Sequence, residues 1–112
     1  MINSERLLIE TKGITLTPDE INVYLQENGL DPTIEYNPSL TTNKRNILKT
    51  ALSILDSIAN NPTAMKNYKE DDISVSQFAE NLQNRIDQLE RKIRQMADSD
   101  INDSSFFMLF AN

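Results

Sequence analysis

The longest continuous pattern of apolar and polar positions covers residues 71–96, DDISVSQFAENLQNRIDQLERKIRQM. Apolar residues recur there every three or four positions, which is the period of one face of an α-helix. Ser74 or Ser76 is placed to cap this helix, and acidic residues directly before it favour its amino-terminal dipole. The pattern predicts a long helix whose apolar face needs a partner. That face consists of Phe78, Leu82, Ile86, Leu89, Ile93 and Met96.

A second helix is predicted over residues 43–60, and its apolar face is wide. Such breadth indicates contact on two sides, as in a central helix of a bundle or a helix at a subunit boundary. Ile54 and Ile58 are therefore candidate interface residues. The whole face comprises Ile47, Leu48, Ala51, Leu52, Ile54, Leu55, Ile58 and Ala59.

Two shorter helices are predicted before this central one. The first covers residues 4–12, is capped by Asn3 or Ser4, and turns Leu7, Leu8 and Ile9 inward. The second covers residues 18–28 and begins with the sequence Thr17-Pro18-Asp19-Glu20, which has the order of a capping box. Its predicted inward residues are Ile21, Tyr24 and Leu25, and Gly13 and Gly29 supply the two helix stops.

The segments between and after these helices differ from them in composition. Residues 30–42 contain Pro32 and Pro38 and are predicted to be extended. Residues 98–105, DSDINDSS, are a polar tether that leads to the most apolar run of the chain. That run would cost roughly 25 cal/mol for each Å² left in water, so we expect it to be covered. Its residues Phe106, Phe107, Met108, Leu109 and Phe110 are candidate interface residues.

Two positions for this apolar arm are open: it folds back on its own subunit, or it crosses the tether to a neighbour. The predicted fold class is all-α, a small bundle of about four helices with a long C-terminal helix, an extended proline-containing loop and a C-terminal apolar arm. We predict two parts, a helical bundle over residues 1–97 and the tether with its arm over residues 98–112.

Composition narrows the classes of function. The formal net charge of −6, from 11 basic and 17 acidic residues, disfavours a general phosphate-binding surface. The one concentrated basic cluster, Arg91, Lys92 and Arg94, is either a solvated helix face or a site for phosphate or an acidic partner. Histidine and cysteine are both absent, which removes the commonest general base, thiolate nucleophiles and Cys/His zinc sites.

An enzyme is therefore not predicted, and neither is a cofactor. The start of a calcium-binding loop is similar to the spacing of Asp98, Asp100, Asn102 and Asp103. The glycine and the final glutamate that such a loop requires are missing. No membrane span or cleavable leader is evident, so we expect synthesis in the cytoplasm.

The order of the segments ILKTALSILDSIA, NYKEDD and ISVSQFAENLQNRIDQLERKIRQM resembles the head-tail connector proteins of tailed bacteriophages, also called adaptor or head-completion proteins. In that family an aromatic residue, an acid and a short I/V-S-V sequence commonly lead into a long amphipathic helix. Tyr68, Asp72, Ile73, Ser74 and Val75 occupy those positions here. Tyr68 is the candidate interface residue of this lead-in.

The resemblance implies a structural virion protein of the phage neck, made in the host cytoplasm. Its subunits would form an oligomeric ring of about 12 copies that binds the portal protein and tail or further neck proteins. DNA would pass through without sequence-specific binding, and no membrane would be involved. Two alternatives remain open: a small acidic inhibitor or DNA mimic, and a dimeric coiled-coil scaffold through residues 75–96.

Overall fold

Five helical segments follow one another in the computed structural model, which describes residues 1–70 and 72–111, with side chains for residues 1–70 and 72–96. These segments are α1 (Asn3–Glu10), α2 (Pro18–Glu27), α3 (Thr41–Ala59), the 3-10 helix η1 (Pro62–Asn67) and α4 (Val75–Ala111). Within these ranges there is no strand, only the isolated bridges Ile2–Glu35 and Ile14–Lys69. The all-α prediction is confirmed.

Helix α3 is the central element of the bundle. It packs against α1, α2, η1 and α4, with α4 as its most extensive partner. Its breadth of apolar surface is therefore explained by contacts inside one subunit. The α3 side chains buried in the core are Ile47, Leu48, Ala51, Ile54, Leu55 and Ile58.

Helices α3 and α4 run antiparallel. Leu55, near the end of α3, shares a pocket with Phe78 at the start of α4. Lys44, in the first turn of α3, shares a groove with Met96 of α4. At Met96, helix α4 has thus reached the beginning of its partner.

Helix α4 nevertheless continues to Ala111. At 1.5 Å per residue, positions 97–111 add roughly 22 Å of helix beyond the start of α3. The longest dimension of the molecule, 57 Å, is close to the length of the whole α4 helix, roughly 55 Å. The helix is thus longer than the sequence predicted, and it includes the predicted tether. The division into a bundle and an arm stays a prediction.

Helix α1 corrects two details of the prediction. Leu7 is completely buried, but Leu8 and Ile9 are 48% and 45% exposed, so only one leucine of the pair faces α3. The cap also differs: Ile2 precedes the helix, and its N–H donates to Glu5 at 2.8 Å. Asn3 is instead a buried bridge, donating to the Asp31 carbonyl at 2.9 Å.

Helix α2 follows the prediction closely. The Thr17 hydroxyl accepts from the Glu20 N–H at 3.1 Å, and the Glu20 carboxylate accepts from the Thr17 N–H at 3.0 Å. Ile21 and Leu25 are buried. Gly29 follows the helix at φ +77°, a conformation that strains any residue with a Cβ, which is why the helix stops at a glycine.

Candidate protein interaction surface

The predicted interface residues fall into three different environments. Ile54 and Ile58 are 0% and 4% exposed, so they belong to the core of one subunit and present no surface to a neighbour. Their wide helix face is covered by the four elements around α3. Tyr68 is half-buried between η1 and α4. The side chains of Phe106, Phe107, Met108, Leu109 and Phe110 lie outside the described side chains.

Tyr68 connects the lead-in of α4 to the beginning of α2. Its hydroxyl donates to the Glu20 carboxylate at 3.1 Å, and its carbonyl accepts from the Thr15 N–H at 2.7 Å. The hydrogen bond to Glu20 raises the pKa of the Tyr68 hydroxyl. The pKa of Glu20 is lowered, chiefly by the Thr17 N–H and further by Tyr68. The capping box of α2 therefore holds Tyr68 in place.

The residues after Tyr68 are held at two points, Lys69 and Ser74. Lys69 forms an isolated bridge with Ile14, and Ser74 caps α4 by accepting from the Gln77 N–H at 3.1 Å. Ile73 packs against the core between these two points. Glu70 and Asp72 are exposed. The lead-in thus presents carboxylates at the amino-terminal end of α4.

A groove lies at the other end of the bundle, between α1, the start of α3 and α4. Its volume is about 550 Å³. Leu48 and Met96 provide the apolar part of its lining, and three cationic side chains stand around it. The lining residues are Arg6, Glu10, Lys44, Leu48, Lys92, Gln95 and Met96. We refer to it as the basic groove.

Glu10 is engaged on one wall of the basic groove. Its carboxylate accepts from Arg6 at 3.0 Å and from Arg85 of α4. Arg6 also lies over the Tyr36 ring, 5.2 Å from its centroid, which adds a cation–π contact. Because two arginines share this one carboxylate, Glu10 does not neutralise the lysines of the groove.

Sequence reasoning found only part of this groove. The basic cluster identified Lys92, with the two readings of a solvated face or an acidic partner's site. Arg6 and Lys44 join it only because α3 and α4 run antiparallel and α1 crosses them. The available signal was the apolar faces of the two long helices, but nothing in them indicated that the start of one lies opposite the end of the other.

A smaller cavity of about 330 Å³ lies near the start of α4. Ile14, Leu55, Phe78 and Leu82 line it, and the Glu10–Arg85 ion pair stands at its edge. This lining is that of a shallow apolar pocket with a polar rim.

Two further groups among the described residues have shifted pKa values. Hydrogen bonds from the Thr33 hydroxyl and N–H lower the pKa of the Asp31 carboxyl group. The hydrogen bond to Glu35 raises the pKa of the Met1 amine. Within the searched residues, no group of three or more acidic side chains is arranged to hold a metal ion. None of the described helices has the length and apolar character needed to cross a bilayer.

Comparison with known proteins gives one result. A family model described as a family of unknown function, DUF6706, matches residues 1–107. No curated protein and no solved structure matches the chain significantly.

Proposed function

We propose that this chain, which belongs to the DUF6706 family, is a structural subunit of a ring in the neck of a tailed bacteriophage. In that position it joins the portal protein at the capsid vertex to the tail. The proposal starts from the resemblance of residues 43–96 to head-tail connector proteins. In the structure, this region forms α3, η1 and the part of α4 that packs on α3. Helices α3 and α4 are the antiparallel pair at the centre of the bundle.

One observation carries the proposal furthest: α4 extends past its partner. Up to Met96, the helix lies along α3, and beyond it α3 offers no further length. The continuing residues include Phe106, Phe107 and Phe110, the most apolar part of the sequence. A helical extension with such a sequence suits insertion against another protein.

The lead-in of α4 gives a second support. Much of the resemblance depends on three residues of the lead-in, Tyr68, Ile73 and Ser74. Each of them has a different structural role. Tyr68 bonds to Glu20, Ile73 packs on the core and Ser74 caps α4. The sequence of the lead-in is thus one that sets the position and direction of the long helix.

The two alternatives find less support. A coiled-coil dimer through residues 75–96 needs a free apolar seam, but Phe78, Leu82, Ile86 and Leu89 are at most 5% exposed within the subunit. A DNA mimic needs carboxylates spaced like phosphates along one face. Instead, the surface also contains the cationic groove around Lys44 and Lys92.

The test is reconstitution with the portal and neck proteins of the phage that encodes this chain. We expect the full-length chain to co-sediment with the portal as a ring of about a dozen copies. The same protein should be found in purified virions. A full-length variant with Phe106→Ser, Phe107→Ser and Phe110→Ser should lose portal binding while keeping its helical circular dichroism.

A matched control carries Val23→Ser and Ile34→Ser, two exposed apolar positions outside the extension. It should bind like the unmodified chain. Absence of the chain from virions, together with no binding to any portal or neck protein, would refute the proposal. Salt-sensitive binding to a basic nucleic-acid enzyme would instead favour the inhibitor alternative.

A further inference from the structure

We infer that the basic groove of one subunit binds the acidic lead-in of α4, Glu70 and Asp72, of a second copy. This contact would be the head-to-tail interface between neighbouring subunits, so the inference rests on the ring proposed above and specifies how its subunits meet. It follows from the positions of charge in the fold.

The groove offers two lysines that have no ion-pair partner among the described side chains. Lys44 and Lys92 are exposed, and neither forms an ion pair with another side chain that the structure describes. Arg6 and Arg85 already hold Glu10. Together with the half-buried Met96, the lysines form a cleft with a basic rim and an apolar floor.

The lead-in has the complementary character. Glu70 and Asp72 are exposed, and neither is paired with another side chain in the described part of the chain. Val75, the first residue of α4, is 40% exposed directly after them. An acidic segment followed by one apolar side chain matches a groove with a basic rim and an apolar floor. The backbone on both sides of the segment is held by the Lys69–Ile14 bridge and the Ser74 cap.

The two surfaces cannot meet within one subunit. From Val75 to Lys92, helix α4 rises roughly 26 Å, whereas an ion pair needs its charged atoms within about 4 Å. Two different complementary surfaces at opposite ends of a subunit make a heterologous contact. Repetition of such a contact closes a ring when the rotation per subunit permits it.

A second copy explains this groove better than nucleic acid does. Duplex DNA presents a dense line of phosphates and is gripped by several aligned cations. Here, the lysines flank a short cleft with an apolar floor, and the whole chain carries a net charge of −6. A short acidic peptide segment fills such a cleft without bringing an extended phosphate backbone against the acidic surface.

Charge exchange tests the inference in the full-length chain. Variant one carries Lys44→Glu and Lys92→Glu, and variant two carries Glu70→Lys and Asp72→Lys. At low ionic strength, each variant alone should self-associate at least about tenfold more weakly than the unmodified chain. An equimolar mixture, or one chain with all four substitutions, should regain association because every contact again joins opposite charges. The measurement is sedimentation velocity over a concentration series.

Cross-linking locates the contact, since the chain contains no natural cysteine. A Glu70→Cys chain mixed with a Lys92→Cys chain should be joined by a short bismaleimide several-fold more often than a Glu27→Cys chain mixed with the same partner. The cross-linking reaction is carried out with the protein free in solution and again with the protein bound to the portal ring. Glu27 is likewise an exposed glutamate, at the end of α2.

Equal yields for the two pairs, or no recovery in the mixed charge variants, would overturn the inference. Lysine-dependent binding of a short DNA duplex that blocks the 70–92 cross-link would overturn it in favour of nucleic acid. A ring that forms on the portal without the 70–92 cross-link refutes this interface but leaves the proposed function standing. Failure of the unmodified chain to bind the portal is the distinct result that removes the function.

Discussion

Arg85 of α4 donates a hydrogen bond to Glu10, the last residue of α1, although 75 positions separate them in the sequence. Glu10 also accepts from Arg6 at 3.0 Å, so one carboxylate joins two guanidinium groups. The Glu10 side chain is only 10% exposed, and those of Arg6 and Arg85 are 15% and 31% exposed. This cluster fixes α1 against α4 and stands between the basic groove and the cavity near the start of α4.

Glu10→Gln should therefore destabilise the bundle. The substitution keeps the side-chain size but leaves two partly buried guanidinium groups without their counter-charge. We expect the free energy of unfolding to fall by about 2 kcal/mol, less than for a fully buried pair because water still reaches Arg85. Urea denaturation followed by circular dichroism measures this change.

Glu90→Gln is the matched control, because Glu90 is an exposed acid on α4. It should change the free energy of unfolding by less than about 0.5 kcal/mol. Equal effects of the two substitutions would show that the Glu10 cluster adds nothing specific to stability.

The capping box of α2 should make stability depend on pH in the acid range. The pKa of Glu20 lies below its ordinary value of 4.5 because the Thr17 N–H, and then Tyr68, favour its carboxylate form. A lowered folded-state pKa gives stability that is complete above the unfolded-state value and is lost as pH falls through the folded-state value. Glu20→Gln removes this contribution.

The difference in unfolding free energy between the unmodified chain and Glu20→Gln should thus shrink from about pH 7 to about pH 3. Glutamine still suits the third position of a capping box, so the helix should persist. A difference that stays constant over this range would contradict the assigned role of the charge.

Tyr68 should make stability decrease as pH rises in the alkaline range, the opposite direction to Glu20. Its pKa is raised from 10.0, first by the hydrogen bond to Glu20 and also by that carboxylate's charge. A raised folded-state pKa gives stability that is complete below the unfolded-state value and is lost as pH rises through the folded-state value. Tyr68→Phe, which cannot ionise, should lose less stability than the unmodified chain above about pH 10. Parallel curves for the two proteins would argue against the Tyr68–Glu20 contact.

Local signals in the sequence were sufficient for most elements of the fold. The capping box at Thr17 was predictable because both of its hydrogen bonds join residues three positions apart. The wide face of α3 was enough to predict a central helix. Breadth alone does not say whether the covering surface belongs to the same chain, and the candidate interface residues Ile54 and Ile58 are covered within the subunit.

The basic groove required information that local patterns do not contain. Lys44 and Lys92 meet because of the antiparallel register of α3 and α4, and Arg6 joins them through the crossing of α1. The Glu10–Arg85 pair depends on the same tertiary arrangement. Sequence periodicity assigns a residue to a helix face, but it does not determine the axial register in which two helices pack.

Leu7 and Leu8 test the arrangement of α1 with nearly identical substitutions. Leu7 is completely buried and Leu8 is 48% exposed. Leu7→Ala should lower the free energy of unfolding by about 2 to 5 kcal/mol through lost apolar contact and a cavity. Leu8→Ala should change it by less than about 1 kcal/mol. Equal losses in chemical denaturation would indicate that α1 is rotated from its described position.

The end of α4 should be dispensable for folding. The described core draws its α4 residues from positions up to Met96, and the helix beyond runs past the start of α3. A chain that ends after Ala97 should therefore keep a cooperative unfolding transition, with a free energy of unfolding within about 1 kcal/mol of the full-length value. It should lose portal binding, because it lacks the residues from Phe106 to Phe110. Unfolding of the shortened chain as a monomer would instead show that the apolar arm folds back and completes its own core.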